Sequence, residues 1–386
     1  MKIFFKLLMG VVSALMLIWG ITSLAALMQR GGDYVPFTLY SEVVGEFVSL
    51  DNSGENGSRY YDYAGREYTE SEFDSVLPSF YFRQLVMDGR LPDSINGVAV
   101  SPSMLEEQSF IFISHPSSIN CHITPLYFLL ESMSKRVYLE MPSDVFRLGK
   151  KGIEFIDMSR NEVDRAKSEL FQKAFEARGV TFPIALVAGN ATTKKPYDHG
   201  YLLLDAKGRL FNLRQAVGRP YLKEIALPSG VEPQQLFVTE YPSRAFLGFL
   251  ADKEGQFYAI TLPDYRLVKA ELPPLDLSRD KLTIFGNPFY WTVIRSRDGE
   301  ALYTALEAGS LRRMKELRFE SSEESSIAKY LVPFQLSFTS PLHGYFRPEV
   351  HHFSWIGLLV WLVVGGVWVS ALRARQWRSS SSKPLK

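Results

Sequence analysis

The strongest constraint on this chain is that part of it repeats. Residues 201–211, 246–258 and 291–303 share one layout: an apolar run, an Asp/Gly turn, then a second apolar run. Gly and Asp tolerate the positive φ that tight turns require, so each stretch reads as a β-hairpin. The turn glycines Gly208, Gly255 and Gly299 are 47 and 44 residues apart, and Lys223, Lys269 and Lys315, in matching runs downstream, are 46 and 46 apart. A period of about 45 with several short strands per unit is that of propeller blades of four strands each. The lysines then mark register on the solvent side of a strand. The fold expected is mainly β, a β-propeller-like domain with helical insertions. The alternative is a twisted antiparallel β domain without ring closure.

The repeat extends toward the N-terminus with Gly65 and Gly152 as earlier turn positions, 87 residues apart and so close to two periods. From Gly152 to Gly208 is 56 residues, one period plus an insertion. The insertion reads as a helix. Ser159-Arg-Asn-Glu162 has the form of a capping box, Val163, Ala166, Leu170 and Ala174 make an apolar face, and Gly179 ends it. A second box, Thr69-Glu-Ser-Glu72, opens another helix that Pro78 interrupts. The expected count is five to seven units.

The chain's ends are of a different kind. Residues 7–28 and 353–372 contain no Asp, Glu, Lys or Arg, and each is long enough for a helix to span a hydrocarbon core of about 30 Å. Lys2 and Lys6 precede the first run; Arg373, Arg375, Arg378, Lys383 and Lys386 follow the second. Flanking basic residues stay cytoplasmic. The layout expected is a cytoplasmic tip (1–6), a transmembrane helix (7–28), an extracytoplasmic β domain (29–352), a second transmembrane helix (353–372) and a basic cytoplasmic tail (373–386). That places the chain in the inner membrane with both termini cytoplasmic and the β domain periplasmic. Ser23-Leu24-Ala25 is a passable signal-peptide cleavage site. The first run is longer than the roughly 7–15 residues of a signal h-region, which favours a retained anchor.

Charge excludes one class of partner. The tips carry two and five basic residues and no acidic one, while the whole chain is only +1, so the remainder is net negative. A nucleic-acid binder needs a basic face instead. The one cysteine, Cys121, allows no internal disulfide and reads as a small buried hydrophobe.

Catalytic signatures are missing. There is no G-x-S-x-G elbow, Walker A loop, G-x-G-x-x-G loop or H-E-x-x-H helix. His115 with Cys121-His122, and His343 with His351-His352, supply metal-type ligands without a recognised spacing. No catalytic residue, metal or cofactor is therefore expected. The most suggestive polar cluster is Lys194, Lys195, Tyr197, Asp198 and His199, a candidate binding surface set against the plainer reading of a solvated loop. Arg83, Gln84 and Asp93 read as structural, with Asp93 capping a turn or short helix at Asp-Ser-Ile.

Two segments carry a family resemblance, residues 81–97 (YFRQLVMDGRLPDSING) and 194–205 (KKPYDHGYLLLD). The chain resembles the bacterial membrane proteins grouped as domain-of-unknown-function family 4857. The resemblance implies an accessory membrane component, often encoded beside ABC transporter subunits, and implies no catalytic residues. The function expected is an accessory or scaffold subunit in contact with the lipid bilayer and with an ABC permease and ATPase. An extracytoplasmic small-molecule or glycan receptor is the alternative, and a metal-dependent extracytoplasmic enzyme the third.

Overall fold

The computed structural model describes residues 4–5, 8–9, 12, 16, 19–20, 35–53, 57–320, 334–351, 353–363, 366–367 and 370. The chain divides into two compact units. One comprises residues 35–115 and 122–320; the other comprises 1–34, 116–121 and 321–386.

The larger unit is built from five antiparallel meander sheets. The first holds β1 (Phe37–Tyr40), β2 (Phe47–Asp51), β3 (Arg59–Asp62) and β4 (Glu67–Tyr68). A hairpin of β5 (Ser94–Ile95) and β6 (Val98–Ala99) and the strand β7 (Phe110–Ser114) follow among short helices. The second sheet holds β8 (Asp144–Leu148), β9 (Ile153–Asp157) and β10 (Glu162–Asp164). The third holds β11 (Leu186–Gly189), β12 (Tyr201–Leu204), β13 (Leu210–Ala216) and β14 (Arg219–Ile225). The fourth holds β15 (Pro233–Val238), β16 (Phe246–Asp252), β17 (Phe257–Thr261) and β18 (Leu267–Lys269). The fifth holds β19 (Lys281–Gly286), β20 (Tyr290–Arg297), β21 (Glu300–Glu307) and β22 (Arg313–Glu320), and β7 joins it beside β19.

The apolar runs are continuous because the sheets are covered on both faces. In β12, Tyr201 and Leu203 point toward Phe146, Phe155 and Phe171 of the second sheet and its helix. Leu202 and Leu204 point the other way, toward Leu236, Leu250 and Ile260 of the fourth. The fourth sheet meets the fifth through aromatic rings: Phe249 lies 4.9 Å from Phe112 and 6.0 Å from Trp291, and Phe246 lies 5.2 Å from Trp291. The fifth meets the first through Tyr303, Phe47 and Tyr40. Each fully buried ring of this kind contributes about 2–3 kcal/mol by removal from water.

The turns explain the repeat. Asp157, Asp205, Asp252 and Asp298 each stand where the second strand of a meander ends, at spacings of 48, 47 and 46. Asp205 Oδ1 accepts from the Lys207 and Arg209 amides at 2.9 Å, and Asp252 Oδ1 accepts from those of Glu254 and Gln256 at 3.0 and 2.8 Å. Asp62 repeats this geometry with Ala64 and Arg66 at 3.0 and 2.8 Å. Gly65, Gly208 and Gly255 take positive φ in these turns, as expected. At Asp157, Asp205 and Asp252 the carboxylate fixes where the strand stops by accepting turn amides, and Asp298 instead takes positive φ in its turn. Lys223, Lys269 and Lys315 all fall on the last strand of their sheets.

Three expectations change. Asp157, not Gly152, marks the second sheet's repeat position, and Ser159 and Arg160 donate their amides to Asp157 Oδ1 at 2.9 and 3.1 Å. Ser159 therefore caps no helix. The helix is Arg165–Ala177, capped by Asp164, and it buries Ser168, Phe171 and Phe175, while Val163 and Leu170 are exposed. The expected small-residue face lost to the two phenylalanines, which have far more apolar surface to hide. Asp93 leads into the β5–β6 hairpin, whose turn residues Asn96 and Gly97 both have positive φ, so no helix forms there. The Thr69 capping box is present in full at the helix Glu70–Val76.

In the smaller unit, Gln335–Ser337 pairs with Glu349–His351, and the Phe338 and Phe346 rings stack at 5.2 Å. Cys121 is half-exposed there, its thiol donating to Ser118 O at 3.0 Å, instead of being buried. Residues 355–363 are helical. Among the described residues no helix is long and apolar enough to cross a membrane. Most of the expected span 7–28 and the end of 353–372 lie outside the described residues.

Burial pushes the Asp62 and Asp205 carboxyls up, but the hydrogen bonds they accept outweigh it and hold both below the usual range. Their contribution is therefore complete at neutral pH and is lost as pH falls through the ordinary value of about 4. Asp205→Ala is expected to cost about 3 kcal/mol. Asp205→Asn should shrink the fall in melting temperature on acidification, both read by thermal unfolding.

Candidate functional site

The residues between β11 and β12 make a sharp inward excursion. Gly200 turns the chain with a φ of +67°, and a Cβ there would sit 2.0 Å from Leu213 O, so no other residue fits. This folds Lys195, Tyr197, Asp198 and His199 under the loop and leaves only Lys194 of the predicted group facing solvent. The group is thus a buried cluster and not a surface. The reason is pairing. Lys195 Nζ donates to Asp198 Oδ1 at 2.6 Å, Glu240 Oε1 at 2.7 Å and Asn190 O at 2.6 Å.

Glu240 comes from the segment after β15, so the cluster ties the third sheet to the fourth. It also accepts from the His199 amide at 2.9 Å and from Asn190 Nδ2 at 2.8 Å. Burial nonetheless pushes its carboxyl above the ordinary range. Ser132 Oγ reaches Asp198 Oδ2 at 3.1 Å, which fixes the segment before β8 to the same point. The Tyr197 hydroxyl donates to Tyr241 O at 2.5 Å and is pushed up to about 12 by burial and by Glu240.

His199 is buried, and both its ring nitrogens lack a hydrogen-bond partner. Burial, with Arg214, Arg244 and Lys195 nearby, depresses it to about 4. A serine touches Asp198, but among the described residues the imidazole is met by the Tyr197 ring at 4.6 Å and by no hydrogen-bonding group, so the serine and aspartate do not form a relay with it. Asn212 Oδ1, Arg214 Nε, Gln215 Oε1 and Thr239 Oγ1, on β13 or just past β15, are likewise buried without a hydrogen-bond partner. Such groups need water or a ligand. Among the described residues, no three His, Cys, Asp or Glu side chains lie close enough to hold a metal ion.

Two features escaped the sequence. Glu131 accepts from the Val217, Gly218 and Met133 amides at 2.7, 2.9 and 3.1 Å, pinning residues 131–133 to the β13–β14 turn. Beyond that anchor Met133, Val137, Tyr138 and Met141 are exposed. The other is a cavity of about 420 Å³ between the first and fifth sheets, with Glu42 in its wall. Only the 46–48-residue aspartate spacing was a signal present in the sequence; Glu42, Glu131 and Glu240 have no local pattern.

The chain belongs to the family described as Domain of unknown function (DUF4857), which matches residues 37–306. A search of curated proteins finds no match. Among solved structures, the chain is similar to the WD40 domain of SCAP from fission yeast, at 9% identity, 79% of this chain, 74% of that one and a TM-score of 0.30. It is also similar to PorZ, a surface component of the type-IX secretion system of Porphyromonas gingivalis. There the identity is 12%, the TM-score is 0.23, and the match covers 76% of this chain and 33% of that one. The chain thus spans about a third of the length of PorZ.

Lys195→Met is expected to cost about 3–5 kcal/mol, because it strands two buried carboxylates; adding Asp198→Asn and Glu240→Gln should recover part of it in chemical denaturation. His199 takes up a proton near pH 6.5 when unfolded but only near 4 when folded. Stability should therefore fall by up to about 3 kcal/mol as pH drops from about 6.5 to 4. In His199→Gln that component of the pH profile should vanish.

Proposed function

We propose that this protein is an inner-membrane accessory or scaffold subunit, anchored by apolar segments at both ends, with its β domain on the periplasmic side and an ABC-type permease and ATPase as partners. The observation that carries the reading is the apolar stretch Met133, Val137, Tyr138 and Met141, exposed yet held at its root by Glu131. Exposed apolar side chains in one short segment anchored at its start suit a protein partner. The uncharged end segments and their basic flanks support the anchoring. Family membership supports the transporter context, as the resemblance implies.

A closed five-bladed ring is the finer fold reading that goes with it. Sheets two and three, three and four, four and five, and five and one are in contact. Strand β7, from the N-terminal third, completes the C-terminal sheet, and that exchange ties early chain to late chain as ring closure requires. The cavity beside Glu42 supports a second reading, a small-molecule receptor.

Affinity purification from gently solubilised membranes tests the main reading. The wild type should bring down transporter subunits, and Val137→Asp combined with Met133→Asp should lose them while the melting temperature stays within a few degrees. Recovery of the wild type as a lone monomer would sink the proposal.

A further inference from the structure

The cavity is assembled by three pieces of chain that the sequence keeps apart. The β1–β2 turn supplies Glu42, the turn after the helix Glu70–Val76 supplies Ser79 and Phe80, and β7 with β19 supplies Phe110 and Phe285. The turn is rigid. Ser41 N donates to Glu46 O at 2.8 Å, Ser41 Oγ accepts from Val44 N at 3.0 Å, and Asn96 Nδ2 holds Glu42 O at 3.0 Å. The walls are mostly apolar, with Leu39 and Leu77 beside the aromatic rings. Arg83 and Glu106, an exposed ion pair at 2.8 Å, also border the cavity.

Glu42 is the anomaly. Its side chain is 4% exposed, and its carboxylate accepts from Ser79 N at 2.8 Å. Among the described residues no Lys, Arg or His nitrogen lies within 4.0 Å of it. Ser109 Oγ, also in the wall, is buried without a hydrogen-bond partner. A lone carboxyl in apolar surroundings is costly, and a fold gains nothing by keeping it there for packing alone. Its burial pushes it above the usual carboxylate range, which is the environment of a group awaiting a partner.

We propose that this cavity binds a small organic cation, a compact apolar or aromatic molecule carrying one protonated amine. The ammonium would pair with Glu42, and the hydroxyl of Ser109 supplies a further acceptor. The rings of Phe80, Phe110 and Phe285 would face the rest of the ligand, with cation–π attraction available near the charge. A volume of about 420 Å³ lies in the range of ligand pockets. An anionic ligand would meet the Glu42 charge, and a neutral one would leave it unpaired. The inference is independent of the anchored-subunit reading, since the cation needs no partner protein.

The test uses the full chain in detergent and three probes of one shape: phenethylamine, 2-phenylethanol and 3-phenylpropionate, compared by ligand-observed NMR at neutral pH. Phenethylamine should bind at least about tenfold more tightly than the alcohol, with no binding of the acid. Glu42→Gln should weaken the amine by about tenfold or more while leaving the melting temperature of the unliganded protein unchanged or raised. Ser109→Leu, which fills cavity space away from the carboxyl, should also weaken it. No amine binding, equal or better binding of the alcohol or acid, or unchanged amine binding in both variants would overturn the proposal. A purely structural Glu42 would show itself as a lower melting temperature in Glu42→Gln with the amine indifferent to both changes.

Discussion

An aspartate that ends an inner strand of the first, third and fourth sheets is the interaction on which the larger unit depends. A sheet covered on both faces has no polar side to set its register, because both side-chain sets are apolar. Something else must say where each strand stops. Asp62, Asp205 and Asp252 do so by accepting on one oxygen the turn amides two and four residues on. Tyr68 and Tyr258 then donate to the second oxygen of Asp62 and Asp252 at 2.6 and 3.1 Å, and Arg209 takes that role at Asp205 at 2.8 Å. With the strand ends fixed, the rings of Phe249, Phe211 and Tyr303 fall where the neighbouring sheets need them.

What the sequence disclosed follows from this. Hairpins of the third, fourth and fifth sheets were legible because their turn residues and strand lengths are local properties, and turn chemistry is written in consecutive residues. The second sheet was misplaced by a turn, because Asn161 supplies the positive φ where the other units use Gly. A glycine period therefore points to Gly152, while the turn itself lies at Asp157–Asn161. The Arg165–Ala177 helix was expected, but its buried face was not. Two faces of that helix are plausible from spacing alone, and Phe171 and Phe175 win only because the second and third sheets offer them a place.

The polar cluster shows the same limit in another form. Lys195, Asp198 and His199 stand out in sequence as a run of charge, which usually means a solvated loop. Glu240, on the next sheet, reverses that expectation by giving Lys195 a second carboxylate and His199 N–H an acceptor. No local pattern announces it. Once paired, the cluster acts as a fastener between sheets, and the unpartnered imbalance is displaced onto the His199 ring and its neighbours.

The buried carboxyls can be ranked by how fully they are satisfied, and the ranking separates structure from binding. Asp205 accepts from three amides and a guanidinium. Glu131 accepts from three amides, and Glu240 from a lysine, an amide and an asparagine. Each sits where sequence-distant segments must be joined, and each is repaid in hydrogen bonds. Glu42 is buried like Asp205 and Glu240, yet the hydrogen bond it accepts from another segment of the chain is from the Ser79 amide, and no cation pairs with it among the described residues. It borders empty space where the others border backbone. A carboxyl that accepts from Ser79 N, has no cationic partner among the described residues and faces a cavity has the chemistry of a binding group, and a cation is the partner that its charge and its aromatic neighbours both favour.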